Sequence, residues 1–176
     1  MRRFLALASL ATVAAASQAQ ISIPPFPTWI NEQYDSMGIG AYSSFPSMGP
    51  WAVTTAIPPA GLMAVLATTG APLPPLTGTQ AMFGRQCDVE WRFTAPMRRF
   101  GGYWRTAVGG AGTTAVRFRF YNTSNVLFYT SPPLPITTTG YTWYGYWTFQ
   151  FFSRVEVIGV PGPGYVGHDD TRARPW

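Results

Sequence analysis

The chain has 176 residues, with 12 arginines and no lysine against 7 acids, a formal charge of +5. Beyond the first twenty residues, basic residues lie close together only at Arg98-Arg99, Arg117/Arg119 and Arg172/Arg174, which argues against the clustered basic surface of a nucleic-acid binder. A lone cysteine, Cys87, rules out an intramolecular disulfide and a cysteine-built zinc site.

The first segment, MRRFLALASLATVAAASQAQ, places Arg2-Arg3 before an apolar run from Phe4 to Ala16 and a small-residue step at Ser17-Gln18-Ala19. That order is a secretory signal peptide, with cleavage expected after Ala19 by the general secretory route. A membrane anchor needs roughly 18 to 20 apolar residues, more than this run supplies, and no second run of spanning length follows. The mature chain is expected outside the cytoplasm, secreted, periplasmic or on the cell surface. Residues 20–176 are enough for one domain with a sizeable core. Ten arginines and seven acids remain in that part, a mild +3.

From Ile21 to Pro59, prolines at 24, 25, 27, 46, 50, 58 and 59 break any helix longer than a turn or two. Gly61 to Thr69, GLMAVLATT, reads as a short helix or a buried strand, and APLPPLTG after it as a loop. Cys87 is expected to be buried, because strand-forming residues follow it and no His or Lys lies near in sequence to activate the thiol.

Period-two alternation then becomes clear. Val89, Trp91 and Phe93 alternate with Asp88, Glu90 and Arg92; Val116, Phe118 and Phe120 alternate with Arg117 and Arg119; Val155 and Val157 alternate with Arg154 and Glu156. Each segment predicts a strand with one face in the core and one in water. Met97–Thr106, Val126–Tyr129 and Tyr141–Phe152 lie between them, the last apolar on both faces, and Gly, Pro and Asn turns separate the segments. Strands at this spacing without helices predict an all-β fold, a single antiparallel β-sandwich of eight to ten strands. Cross-strand pairing of Arg92, Arg117, Arg119 and Arg154 with Glu90 and Glu156 would stabilise such a sheet without any ligand.

The ordered set NEQYDSMGI (Asn31–Ile39), Val89–Phe93, Arg99-Phe100-Gly101-Gly102-Tyr103, Val116–Leu127, Phe151-Phe152 and Ser153–Gly159 followed by His168-Asp169-Asp170 resembles small secreted bacterial domains of the kind found in PEP-CTERM-type exported proteins. The resemblance spans most of residues 31 to 172. It implies an exported, jelly-roll-like β-sandwich whose related architectures include carbohydrate-binding modules with a structural calcium. The VPEP box and basic anchoring helix of those proteins are absent from this sequence, so sorting by that machinery is not expected.

His168 is the only imidazole, no G-x-S-x-G elbow is present, and residues adjacent in a strand point to opposite faces, so a Ser-His-acid site is not expected. Paired carboxylates of a polysaccharide hydrolase remain an alternative among Glu32, Asp35, Asp88, Glu90, Glu156, Asp169 and Asp170. Calcium prefers six to eight oxygens, and if the chain ends meet, Asp169 and Asp170 could join Glu32 and Asp35 around a structural ion. Aromatics number 28 of 176. With Trp143, Trp147 and Phe149 inward, Tyr144 and Tyr146 would face outward beside Arg117 and Arg119 as a sugar-stacking face. The function these features support is a secreted, non-enzymatic protein of the extracellular matrix or a glycan binder. A surface-assembly protein without a small ligand is the third reading.

Overall fold

The computed structural model describes residues 21–57, 62–67, 76, 80–85, 88–106, 112–161 and 165–176. The segment 1–19 read as a signal peptide, Cys87 and most of the APLPPLTG segment lie outside these residues. The Pro-rich N-terminal part supplies β1 (Ile21–Ser22), β2 (Ile30–Glu32), β3 (Gly40–Tyr42), β4 (Ser44–Ser47) and, after a 3-10 turn at Gly49–Trp51, β5 (Ala52–Ile57). Then come β6 (Leu62–Ala67), β7 (Gln80–Arg85), β8 (Asp88–Thr106), β9 (Ala115–Asn122), β10 (Leu127–Thr130), β11 (Leu134–Pro135), β12 (Thr142–Val160) and β13 (Tyr165–Arg174). The described residues contain no α-helix, and the helix-or-strand choice at Gly61–Thr69 resolves as the strand β6.

All pairings are antiparallel, along a path β10-β9-β12-β8-β13-β7-β6-β3. Two of the strands are much longer than their sequence segments: β8 joins Asp88–Thr94 to Met97–Thr106, and β12 joins Tyr141–Phe152 to Ser153–Ile158. Both bend. Trp91 and Phe100 are nine residues apart on β8, roughly 30 Å in a straight strand, yet their ring centroids lie 5.2 Å apart. The bend falls where Pro96 removes a backbone donor and where β12 shifts register against β8 between Trp147 and Phe152 and again before Arg154.

Folding β8 and β12 over themselves converts one sheet into two facing layers. In one layer the first half of β8 pairs with β5 and with the second half of β12, which continues to β9. In the other, the first half of β12 pairs with the second half of β8, and β8 with β13. The core between them holds the predicted inward residues Val89, Trp91, Phe93, Val116, Phe118, Phe120, Val155 and Val157, with Phe100 and Trp104 from the opposite layer and Met97 and Phe152 at the bend.

A strap from Ile23 to Pro27 crosses the outer face of this second layer. β1 pairs with Trp147 and Tyr146 of β12, Trp143 Nε1 donates to Ile23 O at 2.9 Å, and Arg172 donates to Phe26 O at 2.8 Å. The Trp143 ring lies over Gly101 and Gly145, which are cross-strand partners. A Cβ on Gly101 would stand 2.7 Å from that ring and 2.8 Å from the Gly145 Cα, so neither strand could stay in place. Gly101→Ala is expected to cost about 1–3 kcal/mol, measured by urea denaturation; a cost within error would show that the ring has room to move.

Candidate functional site

The most open aromatic surface sits at the bend. Thr28 Oγ1 donates to Ala173 O at 2.7 Å and accepts from Ile30 N at 3.0 Å, which fixes the entry to β2. Ile30 and Ala173 are cross-strand partners, both fully buried, so alternation turns Trp29 and Arg174 to the outside. Trp29 is 62% exposed and Trp176 63%, with ring centroids 6.1 Å apart. With Trp51, Ala95, Pro96, Thr123, Phe151 and Pro175 they line a groove of about 530 Å³. Phe151, 42% exposed, stands where β12 shifts register, and the Arg98 guanidinium lies 4.3 Å from its ring centroid. Apart from the indole N–H groups, Thr123 is the only polar side chain among the described lining residues.

The predicted aromatic face is reversed. Tyr146 is 5% exposed and packs on Phe118, Phe120 and Tyr129, with centroids 5.5, 5.7 and 5.6 Å away. Tyr144 lies on the same side, half-buried, and donates to Pro135 O at 2.5 Å. Phe149, expected inward, is 48% exposed. The inversion has a physical cause: the strap covers the outer side of Trp143, so both faces of this half of β12 are lined with apolar groups and alternation alone does not choose between them.

Arg117 and Arg119 therefore do not flank the tyrosines. They alternate with the buried Val116, Phe118 and Phe120 and project from the other side of the sheet. There Glu90 and Glu156 are direct cross-strand partners. Arg154 bridges them, its Nε 2.8 Å from Glu90 and its terminal nitrogen on Glu156. Arg92 pairs with Glu90, Arg119 lies 3.7 Å from Glu156, and Tyr121 donates to Glu156 at 2.6 Å beneath the Arg154 guanidinium. This is the pairing read from the sequence for Arg92, Arg119 and Arg154, while Arg117 makes no ion pair among the described residues, and it places guanidinium groups between the two carboxylates where a hydrolase would need a sugar.

The chain ends meet as expected, Thr171 opposite Glu32 in the β2–β13 ladder, but the four acids do not gather. Among the described residues no three His, Cys, Asp or Glu side chains form a metal-holding group. Glu32 accepts from the amides of Tyr34 and Met48, at 2.9 and 3.0 Å, and Asp35 accepts from that of Gln80 at 3.0 Å. Asp169 accepts from Leu76 N at 2.8 Å and from Asp170 N at 2.7 Å. Asp170 holds Arg172 through both oxygens, at 3.0 and 2.5 Å. The reason is a bulge: Asp170 has φ 46°, and β13 shifts register against β8 between Asp169 and Arg172. Strand alternation is lost there, and His168, Asp169, Asp170 and Thr171 are all buried.

His168 is a core residue. Its Nδ1 lies 2.9 Å from the Tyr34 hydroxyl, and the rings of Trp91 and Trp104 sit at 5.1 and 5.2 Å. Burial pushes its pKa down to about 3. The folded state thus binds a proton less readily than the unfolded chain, whose histidine titrates near 6.5. Stability from this group is complete above pH 6.5 and is lost as pH falls toward the folded value, by about 2 kcal/mol at pH 5. Urea midpoints between pH 7 and 5 should show this loss, and His168→Gln should remove it; the same slope in the variant would assign it elsewhere.

The sequence matches no protein-family model and no curated protein. In fold, the chain is similar to the CBM22-1 xylan-binding domain of Paenibacillus barcinonensis Xyn10C, with a TM-score of 0.55 and 9% identity over 83% of this chain and 92% of that one. It is also similar to the K2 cleaved adhesin domain of Lys-gingipain, with a TM-score of 0.56 and 10% identity over 88% and 99% of the two chains. At these identities the likeness is one of fold, and it defines the class: an antiparallel β-sandwich of the jelly-roll kind.

Proposed function

We propose that this is an exported, non-enzymatic carbohydrate-binding β-sandwich, and that the groove of Trp29, Trp51, Phe151 and Trp176 holds the glycan. The exposed Trp29–Trp176 pair carries the reading. Two indoles left mostly in water beside an apolar floor lose hydration free energy unless something covers them. The C–H face of a pyranose suits an aromatic ring, while its hydroxyls stay in solvent. A fold shared with a domain named as xylan-binding supports the same reading. Tyr144 and Tyr146 drop out of the ligand surface, Arg119 belongs to the ionic network, and Arg117 lies on the same side of the sheet, away from the groove.

The test is isothermal titration with soluble neutral and acidic polysaccharides. Binding to at least one, accompanied by quenching of tryptophan fluorescence, is expected. No heat and no quenching at millimolar sugar would favour a surface-assembly role instead.

In this reading the acids at the chain ends serve the fold through backbone and arginine partners, and calcium has no part. EDTA is expected to leave the thermal midpoint unchanged. A midpoint that falls with EDTA and returns with calcium would assign these carboxylates to an ion.

A further inference from the structure

The outer face of the layer formed by β12, β8 and β13 carries an uncompensated charge pair. Arg99 is the cross-strand partner of Arg174 on one side and of Trp147 on the other. Side chains directly opposite in an antiparallel ladder stand about 5 Å apart at Cβ, and like charges there are destabilising. Neither guanidinium has an ion-pair partner among the described residues. The Nε atoms of both are shielded from water without a hydrogen-bond partner. All seven carboxylates of the chain are engaged elsewhere, on backbone amides or on Arg92, Arg119, Arg154 and Arg172.

This pair joins two apolar recesses. Arg99 and Trp147 line a cleft of about 360 Å³ against the strap residues Ile23 to Pro27, and Arg99 is the only charged side chain among its described lining residues. Arg174 stands beside Trp29, because Ala173 pairs with Ile30 and the two neighbouring residues emerge on the same side. Trp147, Arg99, Arg174 and Trp29 thus form one row across the sheet, ending at the aromatic groove.

We propose that Arg99 and Arg174 form an anion subsite of the glycan surface, and that the ligand is an acidic polysaccharide whose carboxylate or sulfate groups lie between sugars stacked on Trp147 and Trp29. This rests on the groove being the glycan site. Guanidinium groups suit such oxyanions because their planar donors match two oxygens at once. The anion would relieve the repulsion that the chain's own acids leave in place.

The test uses matched polymers: polygalacturonate against its methyl ester, and dextran sulfate against dextran. The charged member of at least one pair is expected to bind about tenfold or more tightly than its neutral partner, as charge-assisted hydrogen bonds allow, and to weaken with added NaCl. Preference within the first pair points to a carboxylate, within the second to a sulfate ester. Arg99→Met with Arg174→Met should abolish the preference and leave neutral binding unchanged. Arg174→Glu keeps the fold under control: it replaces repulsion by an ion pair, so a thermal midpoint at or above wild type with the preference lost identifies a lost site. Equal binding of charged and neutral polymers, or a preference that survives either variant, overturns the anion subsite and leaves the groove reading intact. Failure of every polymer to bind contradicts the groove itself.

Discussion

Replacing Arg172 with Met is expected to destabilise the protein by about 3–5 kcal/mol, the usual consequence of leaving one member of a buried ion pair alone. Asp170 is nearly inaccessible, its side chain 3% exposed, and both its oxygens are taken by Arg172. It also occupies the left-handed region at φ 46°, in the bulge that ends the regular ladder of β13. The same arginine donates to Phe26 O and lies 5.7 Å from the Trp143 ring centroid, so it ties the strap to the sheet. Adding Asp170→Asn to Arg172→Met should recover part of the loss, because the remaining amide carries no charge. That recovery, read from urea denaturation as a double-mutant cycle, isolates the charge from the packing. Two single variants each costing under about 1 kcal/mol would place the pair among weak surface contacts.

The second large effect concerns ligand binding. Trp29→Ala with Trp176→Ala should abolish glycan binding by the groove while changing stability little, since both rings are mostly in water and exposed substitutions are usually near neutral. Phe151→Ala should weaken binding less: its ring stands at the same groove, but Arg98 covers one face.

Much of the architecture was legible because three segments alternate cleanly. Val89/Trp91/Phe93, Val116/Phe118/Phe120 and Val155/Val157 all enter the core, and Arg154 with Glu90 and Glu156 forms the predicted outer ladder. Tyr146 was misplaced because its strand is apolar on both sides, and only the covering strap, residues far away in sequence, decides which side is core. The bend of β8 was hidden for a related reason: Asp88–Thr94 and Met97–Thr106 read as separate segments, whereas one strand runs through both and passes between layers at Pro96. His168-Asp169-Asp170 resisted alternation because a bulge buries consecutive residues.

The groove itself had no local signature. Trp29, Trp51, Phe151 and Trp176 come from four distant segments and meet only through the β2–β13 ladder and the bend. The one clue in the sequence is that Trp51 follows Pro50 and Trp176 follows Pro175, with Trp29 two residues after Pro27, large aromatics near residues that resist burial in a ladder.

Isothermal titration of the wild type and the Trp29→Ala/Trp176→Ala variant with the polysaccharide that the wild type binds most tightly tests the central claim most directly. Saturable heat in the wild type and none in a variant of unchanged thermal midpoint is the predicted result. Equal affinity in the two proteins would contradict it.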